Sequence, residues 1–145
     1  TPFYGTLYSR APLPWIQGDT LSYRETAPVE DVYYDGVSSG DTSPYKLQNL
    51  TKKDQYTVFL DGNHVTQDIR TGNHTGRTLA VMKDSFAHAL APLLAAHYDR
   101  VILIDLRYFS QPVRPYLLEQ GVTDVLISYN MSWFAGDTNI VRLTR

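Results

Sequence analysis

A serine in the middle of this chain separates a run of strand-forming residues from a segment with helical periodicity. The predicted strand Leu79–Lys83 ends at Asp84-Ser85, and the residues that follow predict a helix over Phe86–His97. The face of that helix would be formed by Phe86, Leu90, Leu93, Leu94 and His97. A hydroxyl at such a corner lies beside helix N–H groups that can stabilise a developing negative charge. Ser85 is therefore a candidate nucleophile, although a serine in this position can also be a simple helix N-cap.

Composition limits the classes of protein to which the chain can belong. With 145 residues and 43% hydrophobic content, it can bury one core, so a single domain over 1–145 is expected. The net charge of −2 argues against nucleic-acid binding, because few phosphates could be neutralised. The absence of cysteine excludes thiol-bound metals and fits an exported bacterial protein. Because Thr1 is not a methionine, we expect a processed or excised piece of something longer.

The two parts of the chain have different sequence patterns. Residues 1–56 are punctuated by Pro, Gly, Asp and Ser, which predicts an irregular, β-rich segment. Residues 57–145 alternate predicted strands (Leu79–Lys83, Arg100–Leu106, Asp124–Tyr129) with predicted helices (Phe86–His97, Pro112–Gln120). This order indicates an α/β core with a parallel sheet and right-handed crossovers. The unbroken apolar runs Val101–Ile104 and Val125–Ile127 are typical of strands covered on both faces.

Polar residues follow each of the three predicted parallel strands. Ser85 follows the first strand, Arg107 and Tyr108 follow the second, and Asn130 follows the third. Ligands bind outside the carboxyl ends of such strands, so we expect these residues to converge at one rim. Ser85 would attack a carbonyl carbon. Its own N–H, a backbone N–H near Arg107 and the Asn130 amide would bind the resulting oxyanion.

Two further positions have both a functional and a structural interpretation. Arg107 could bind an anionic sugar or a phosphate-bearing polymer, or it could pair with Asp105 or Asp84 to cover a strand end. A short helix is also predicted, which would begin at the capping-box-like Thr51–Asp54 and end at Gly62, and Asn63 and His64 follow its end. They could contact or orient a substrate, or they could belong to a helix C-cap with an exposed histidine.

The other histidines are weaker candidates for a catalytic base. His88 lies three residues after Ser85, but an imidazole so placed seldom reaches the hydroxyl of the first residue of a helix. His97 is expected to be buried or to interact with the helix C-terminus, and His74 is expected to be solvated in a loop. No metal or other cofactor is expected, because no spacing typical of metal ligands occurs.

Several segments, in order, resemble one known family. They are Phe3–Arg10, Phe59–His64, Val81–Phe86, Asp105–Phe109 and Asp124–Asn130. They are similar to the DHHW family, which comprises bacterial extracytoplasmic proteins related to the alginate O-acetyltransferase type of SGNH hydrolase. The chain departs from the SGNH pattern at Lys83 and Ser128, where that superfamily has glycine. The Asp-His-His-Trp signature that names the family is absent from these residues.

The resemblance implies a three-layer SGNH or flavodoxin-like α/β fold, incomplete in this chain. It also implies an extracytoplasmic O-acyltransferase or esterase that acts on cell-surface or exopolysaccharide through an acyl-serine. The missing signature would lie upstream of the region matching Thr1 and would activate Ser85, so little activity is expected from this carboxyl-terminal portion alone. Implied partners are a polysaccharide, the missing amino-terminal part and a membrane-bound acyl exporter. Lys83 and Ser128 favour the alternative, a non-catalytic polysaccharide-binding or scaffold module.

Overall fold

Six strands form one mixed sheet. The computed structural model describes residues 2–24 and 28–144. The strands are β1 (Val29–Tyr34), β2 (Val37–Ser38), β3 (Thr66–Thr71), β4 (Thr78–Lys83), β5 (Arg100–Ile104) and β6 (Asp124–Ser128). Their spatial order is β2-β1-β3-β5-β4-β6. Strands β5, β4 and β6 are parallel, whereas β3, β1 and β2 are added to this parallel unit by antiparallel pairing.

The helices are short. The α-helices are α1 (Thr6–Arg10), α2 (Ala91–Leu94), α3 (Val113–Glu119) and α4 (Met131–Phe134). Single 3-10 turns or slightly longer 3-10 helices span Leu47–Thr51, Gln55–Val58, Ser85–Ala89, Ala95–His97 and Thr138–Thr144. Within the described ranges, no helix combines the length and the apolar character that a bilayer crossing requires.

The core consists of two apolar clusters, one on each face of the sheet. Because side chains alternate along a strand, Leu79 and Val81 of β4 face the cluster that contains Ala91 of α2. Met82 of β4 faces the other cluster, which contains Val113 of α3. In the sheet, β5 lies on one side of β4 and β6 lies on the other. The position between β4 and β6 is therefore a topological switch point. A crevice outside their carboxyl ends is the expected ligand site of such a sheet.

The sequence predicts the three parallel strands well, but the sheet as a whole is mixed rather than parallel. Residues 1–56 contribute β1 and β2 to it. Strand β3 was not predicted, because its buried Gln67 and Asp68 hide the apolar alternation of a strand. Val125 and Ile127 of the edge strand β6 are 54% and 50% exposed, so the prediction that β6 is covered on both faces is wrong for the described residues. The three-layer SGNH arrangement stays a prediction.

The predicted helix over Phe86–His97 is wrong in both continuity and orientation. It is divided into a 3-10 turn, α2 and a second 3-10 turn. Pro92 lacks an N–H and is tolerated only in a first turn, so the α-helical part begins next to it, at Ala91. The buried face consists of Ala87, His88, Ala91, Pro92 and Ala95, whereas Phe86, Leu90 and Leu93 are exposed.

Candidate active site

The predicted nucleophile lies at the corner between β4 and the 3-10 helix Ser85–Ala89. Asp84 is the N-cap of that helix, and its Oδ1 accepts a hydrogen bond from the Phe86 N–H at 2.9 Å. The alternative interpretation of Ser85 as the N-cap is therefore wrong. Ser85 is partly exposed, and its hydroxyl has no hydrogen-bond partner among the described residues. The hydroxyl is thus available to a ligand.

The Asp84 carboxylate joins this corner to the turn that follows β6. Its Oδ2 accepts the Asn130 N–H at 2.7 Å, while its own N–H donates to the Ser128 carbonyl at 3.4 Å. Strands β4 and β6 are in register here, with Lys83 opposite Ser128. The structure therefore brings Ser85 and Asn130 to one rim.

The Asn130 side chain is oriented by the start of α4. Its Oδ1 accepts the Ser132 N–H at 2.9 Å, and its carbonyl oxygen accepts the Phe134 N–H at 2.9 Å. Its Nδ2 has no partner among the described residues, so it can donate to the oxygen of a ligand. This arrangement suits an oxyanion donor.

The predicted oxyanion donor near Arg107 is not available. The Arg107 N–H donates to Asp105 Oδ1 at 3.1 Å, and the Tyr108 N–H donates to the Asp105 carbonyl at 3.0 Å. The loop after β5 folds back on Asp105, so both N–H groups already have an acceptor. The described donors for an oxyanion are therefore the Ser85 N–H and Asn130 Nδ2.

Arg107 pairs with Asp105, as one of its two interpretations predicted. Its Nε and Nη2 contact Asp105 Oδ1 and Oδ2 at 2.9 and 2.6 Å, and these hydrogen bonds raise the pKa of the guanidinium. Its Nη1 has no partner among the described residues, so an anion could still bind there. Tyr108 is exposed, and the Arg107 guanidinium lies 5.3 Å from its ring centroid.

A cavity of about 170 Å³ adjoins the rim. It is lined by Asp84, Arg107, Tyr129, Gly136, Asp137, Thr138 and Asn139. The Tyr129 hydroxyl is buried without a hydrogen-bond partner, and burial raises the pKa of Tyr129, so this group remains a neutral donor. The sequence did not predict a role in the site for Tyr129 or for the segment 136–139. The position of Tyr129 beside Asn130 was the one available signal.

Beneath the corner lies a buried cluster of charged and polar side chains. Lys83 Nζ is 2.7 Å from His88 Nε2 and 3.6 Å from Asp105 Oδ2, and each of these residues is at most 1% exposed. Burial lowers the pKa of Lys83 to about 8, while Asp105 acts in the opposite direction. Burial, reinforced by the Lys83 charge, lowers the pKa of His88 to about 3. His88 is therefore a neutral acceptor for Lys83, which makes it a poor base for Ser85.

The loop that carries Asn63 and His64 is held in an unusual backbone conformation. Leu60, Asp61 and Gly62 have φ angles of 54, 56 and 88°, a left-handed run that non-glycine residues rarely adopt. Gln67 Nε2 fixes this run by donating to the carbonyl groups of Leu60 and Gly62 at 2.7 and 2.8 Å.

The interpretation of His64 as an exposed histidine after a helix C-cap is wrong, because its side chain contacts two neighbouring residues. Its Nδ1 lies 3.1 Å from Asp35 Oδ2, and its ring packs on Tyr34 with 4.6 Å between centroids. The sequence did not predict this role for Asp35. The Val65 carbonyl accepts the Asp105 N–H at 3.1 Å, which places the loop beside the end of β5. His64 thus lies at the same edge of the sheet as Ser85, with β5 between their strands, while Asn63 is exposed.

No group of three or more potential metal ligands occurs in 2–24 or 28–144. Comparison with protein-family models and with curated proteins found no match. Among solved structures, that of a DHHW family protein from Eubacterium siraeum matches with a TM-score of 0.77 and 24% identity. The match covers 99% of this chain and 50% of that chain. This chain has the fold of a DHHW family protein.

The resemblance to the DHHW family predicted from the motifs is thus confirmed at the level of the fold. Bacillus cereus PatB1, solved with a sulfonyl adduct, matches with a TM-score of 0.71 and 21% identity over 96% of this chain and 47% of PatB1. A further PatB1 structure matches with a TM-score of 0.62 and 23% identity over 77% of this chain and 38% of PatB1. The chain therefore spans about half the length of the DHHW family protein and less than half of PatB1.

In this DHHW-type fold, four of the five resembling segments meet at one edge of the sheet. Val81–Phe86 and Asp124–Asn130 are joined by Asp84, and Asp105–Phe109 pairs with Lys83 through Asp105. The segment Phe59–His64 is linked to the same edge through Val65. Residues that are far apart in the sequence are therefore assembled around Ser85.

Proposed function

We propose that this chain is the serine-bearing part of an extracytoplasmic O-acyltransferase or esterase that acts on cell-surface or exopolysaccharide. The supporting observation is the Asp84 carboxylate, which holds the Ser85 corner and the Asn130 turn together. An unpartnered serine hydroxyl next to an oriented amide donor is the arrangement that acyl transfer requires. The shared fold with a DHHW family protein and with PatB1 is consistent with this chemistry.

In the proposed reaction, Ser85 Oγ attacks the carbonyl carbon of an ester and gives its proton to a base. The carbonyl oxygen becomes an oxyanion, which accepts hydrogen bonds from the Ser85 N–H and Asn130 Nδ2. Collapse of this intermediate expels the alcohol of the donor and leaves an acyl-serine. A sugar hydroxyl then takes the acyl group in a transferase, and water takes it in an esterase. Arg107, Tyr108, Asn63 and His64 surround this edge as candidate contacts for the saccharide.

The base is not supplied by the described residues. None of them forms a hydrogen bond with the Ser85 hydroxyl, and His88 is occupied by Lys83. General-base catalysis contributes about 10²–10⁴-fold, so we expect the chain alone to react slowly. The proposed partners are accordingly an additional part of the polypeptide that carries the acid–base pair, a polysaccharide and a membrane-bound acyl exporter.

A sulfonyl fluoride tests this proposal, because it sulfonylates an activated serine hydroxyl and PatB1 has been solved with a sulfonyl adduct. In the gene product that contains these residues, mass spectrometry should locate the adduct on Ser85. Ser85→Ala should abolish it, whereas the control Ser132→Ala, also at the rim, should retain it. Asn130→Ala should slow adduct formation about 10²–10³-fold if the amide stabilises the oxyanion-like transition state. Failure of Ser85 to react would rule out the acyl-serine.

The absence of a described base for Ser85 favours a second candidate function, a non-catalytic polysaccharide-binding or scaffold module. In that case the gene product would bind polysaccharide equally well before and after Ser85→Ala. No serine adduct would form in either protein.

A further inference from the structure

The cavity beside the rim is bordered by residues whose polar groups have no partner in the described part of the chain. The Tyr129 hydroxyl is buried, and no described residue bonds to it. Asp137 Oδ1 accepts the backbone and side-chain N–H groups of Asn139 at 2.7 and 2.8 Å, whereas its Oδ2 accepts none from the described residues. The Thr138 hydroxyl and Arg107 Nη1 are also unpaired within the described ranges. The lining residues thus offer free hydrogen-bond donors and acceptors around about 170 Å³ of space.

The cavity lies next to the two groups that would hold a reacting ester. Asp84 lines it and directly precedes Ser85, while Tyr129 lines it and directly precedes Asn130. The Asp84 carboxylate keeps the two turns together by accepting the Asn130 N–H at 2.7 Å. A molecule in the cavity would therefore lie beside the ester carbonyl and not in its place. That is the position of a part of the substrate that binds without reacting.

The charges around the cavity disfavour an anionic ligand. Arg107 lines the cavity but is already paired with Asp105 through two hydrogen bonds. Lys83 lies 3.6 Å from the same carboxylate. The lining residues and their ion-pair partners therefore carry two cations against three carboxylates, because Asp84 and Asp137 also line the cavity. A carboxylate or phosphate would meet net repulsion there, whereas a neutral ligand would not.

Sugar hydroxyls match the free groups of the cavity, because each hydroxyl both donates and accepts hydrogen bonds. The Tyr129 O–H would donate to one hydroxyl oxygen, and Asp137 Oδ2 would accept a hydrogen bond from another hydroxyl. Burial raises the pKa of Tyr129, and the nearby carboxylates raise it further, so this group keeps the proton that it would donate. The space is smaller than the roughly 300–1,000 Å³ of a site for a drug-sized molecule, which limits the ligand to about one sugar ring.

We infer that the cavity is a subsite for one uncharged sugar residue of the saccharide on which Ser85 acts, with Tyr129 and Asp137 as its specificity-determining contacts. The inference rests on the proposed function, because it takes the saccharide of that function as the ligand. It also chooses between classes of saccharide. Arg107 Nη1 would donate to a sugar hydroxyl, and the ligand would be neither an anionic sugar nor a phosphate-bearing polymer.

Binding of defined saccharides to the gene product that contains these residues tests the inference. The protein should carry Ser85→Ala, so that no acyl chemistry accompanies binding. The neutral probes are tetrasaccharides of glucose, mannose and N-acetylglucosamine, and the acidic probes are tetragalacturonate and tetramannuronate. Calorimetry should show that at least one neutral probe binds about 10-fold or more tightly than either acidic probe. Tighter binding of an acidic probe, or binding of no neutral probe, would overturn the inference.

Two substitutions test whether the saccharide binds in the cavity through the assigned contacts. Tyr129→Phe should weaken binding of the neutral probe about 3- to 10-fold, because one hydrogen bond is lost. Tyr34→Phe is the matched control, since the Tyr34 hydroxyl is also buried without a described partner, and it should leave binding unchanged. Asp137→Asn should weaken the neutral probe about 10-fold and tighten binding of the acidic probes, a reversal that a folding defect would not produce. Equal effects of the two tyrosine variants, or no reversal in Asp137→Asn, would contradict the inference.

Filling the cavity provides a variant that leaves the polar groups in place. Gly136 lines the cavity, and a Cβ added there meets no heavy atom within 4 Å, so Gly136→Leu should fold normally and occupy the space. It should weaken binding of the neutral probe at least about 10-fold. Gly5→Leu is the control, because a Cβ at Gly5 has equally open surroundings, and it should leave binding unchanged. Unchanged binding in Gly136→Leu would show that the saccharide binds elsewhere.

Failure of this inference and failure of the proposed function give different results, because sulfonylation of Ser85 requires no saccharide. A protein that forms the adduct but binds no neutral probe would retain the acyl-serine and lose the subsite. A protein that binds the neutral probe in the cavity but forms no adduct would retain the subsite as part of a saccharide-binding module.

Discussion

Substitution of Asp84 by asparagine tests whether one carboxylate holds the candidate active site together. Asp84 is 4% exposed, and its two oxygens accept the Phe86 and Asn130 N–H groups at 2.9 and 2.7 Å. An asparagine side chain has one oxygen, so one of these donors would face an NH₂ group instead. The substitution therefore removes one charge-assisted hydrogen bond and leaves a partly buried N–H without an acceptor.

The size of the effect follows from these two changes. A hydrogen bond to a charged group contributes about 1.5–3 kcal/mol, and an unsatisfied buried donor costs about 1–3 kcal/mol. These terms overlap, because they describe the same N–H group. We therefore expect Asp84→Asn to lower the free energy of unfolding by about 2–3 kcal/mol. For a domain of this size that corresponds to a decrease in Tm of about 5–10 °C.

Urea unfolding and amide hydrogen exchange would measure this effect. The matched control is Asp137→Asn, because Asp137 lines the same cavity and caps its own turn by accepting the Asn139 N–H at 2.7 Å. It joins no two strands, so its loss should cost less. In Asp84→Asn alone, the Phe86 or Asn130 amide should exchange faster. Equal stability losses in the two variants, with unchanged exchange, would refute the idea that Asp84 holds the rim.

Two further predictions concern the pH dependence of stability and the backbone. Unfolded His88 titrates near 6.5 and native His88 near 3, so the unfolded state binds the extra proton between these values. Stability should then fall by about 1.4 kcal/mol per pH unit on acidification, and urea unfolding from pH 6.5 to 4.5 should show this slope in His97→Gln but not in His88→Gln. Gly62→Ala should lower the Tm more than Gly76→Ala. Both glycines have positive φ, but only at Gly62 would the new Cβ lie 3.1 Å from Thr57, so equal shifts would contradict a steric effect.

The sequence predicts those elements that leave a local or periodic pattern of residue types. The runs in β4 and β5 are apolar because these strands pack against both core clusters, so their pattern is visible without a structure. Strand β3 is stabilised differently. Gln67 bonds to the carbonyl groups of the Leu60–Gly62 run, and Asp68 pairs with Arg100 at 2.7 Å. Such partners are fixed by the folded backbone and leave no periodic signal.

The same distinction applies to the candidate site. The rule that ligands bind at the carboxyl ends of parallel strands was sufficient to predict that Ser85 and Asn130 lie at one rim. It could not predict that the N–H groups after β5 donate to Asp105, because that depends on the dihedral angles of one loop. It also could not predict the cavity wall formed by 136–139, which depends on how the last part of the chain folds back.

The burial of Lys83 has a chemical consequence for an enzyme that forms an acyl-serine. An amine with a pKa of about 8 is partly neutral near physiological pH, and a neutral amine two residues from Ser85 would compete with the sugar for the acyl group. The resulting amide would be far more stable than the ester and would inactivate the protein permanently. Enclosure of Nζ between His88 and Asp105 keeps this amine away from the ester. If Ser85 forms the proposed acyl-serine, this enclosure would keep Lys83 from being acylated.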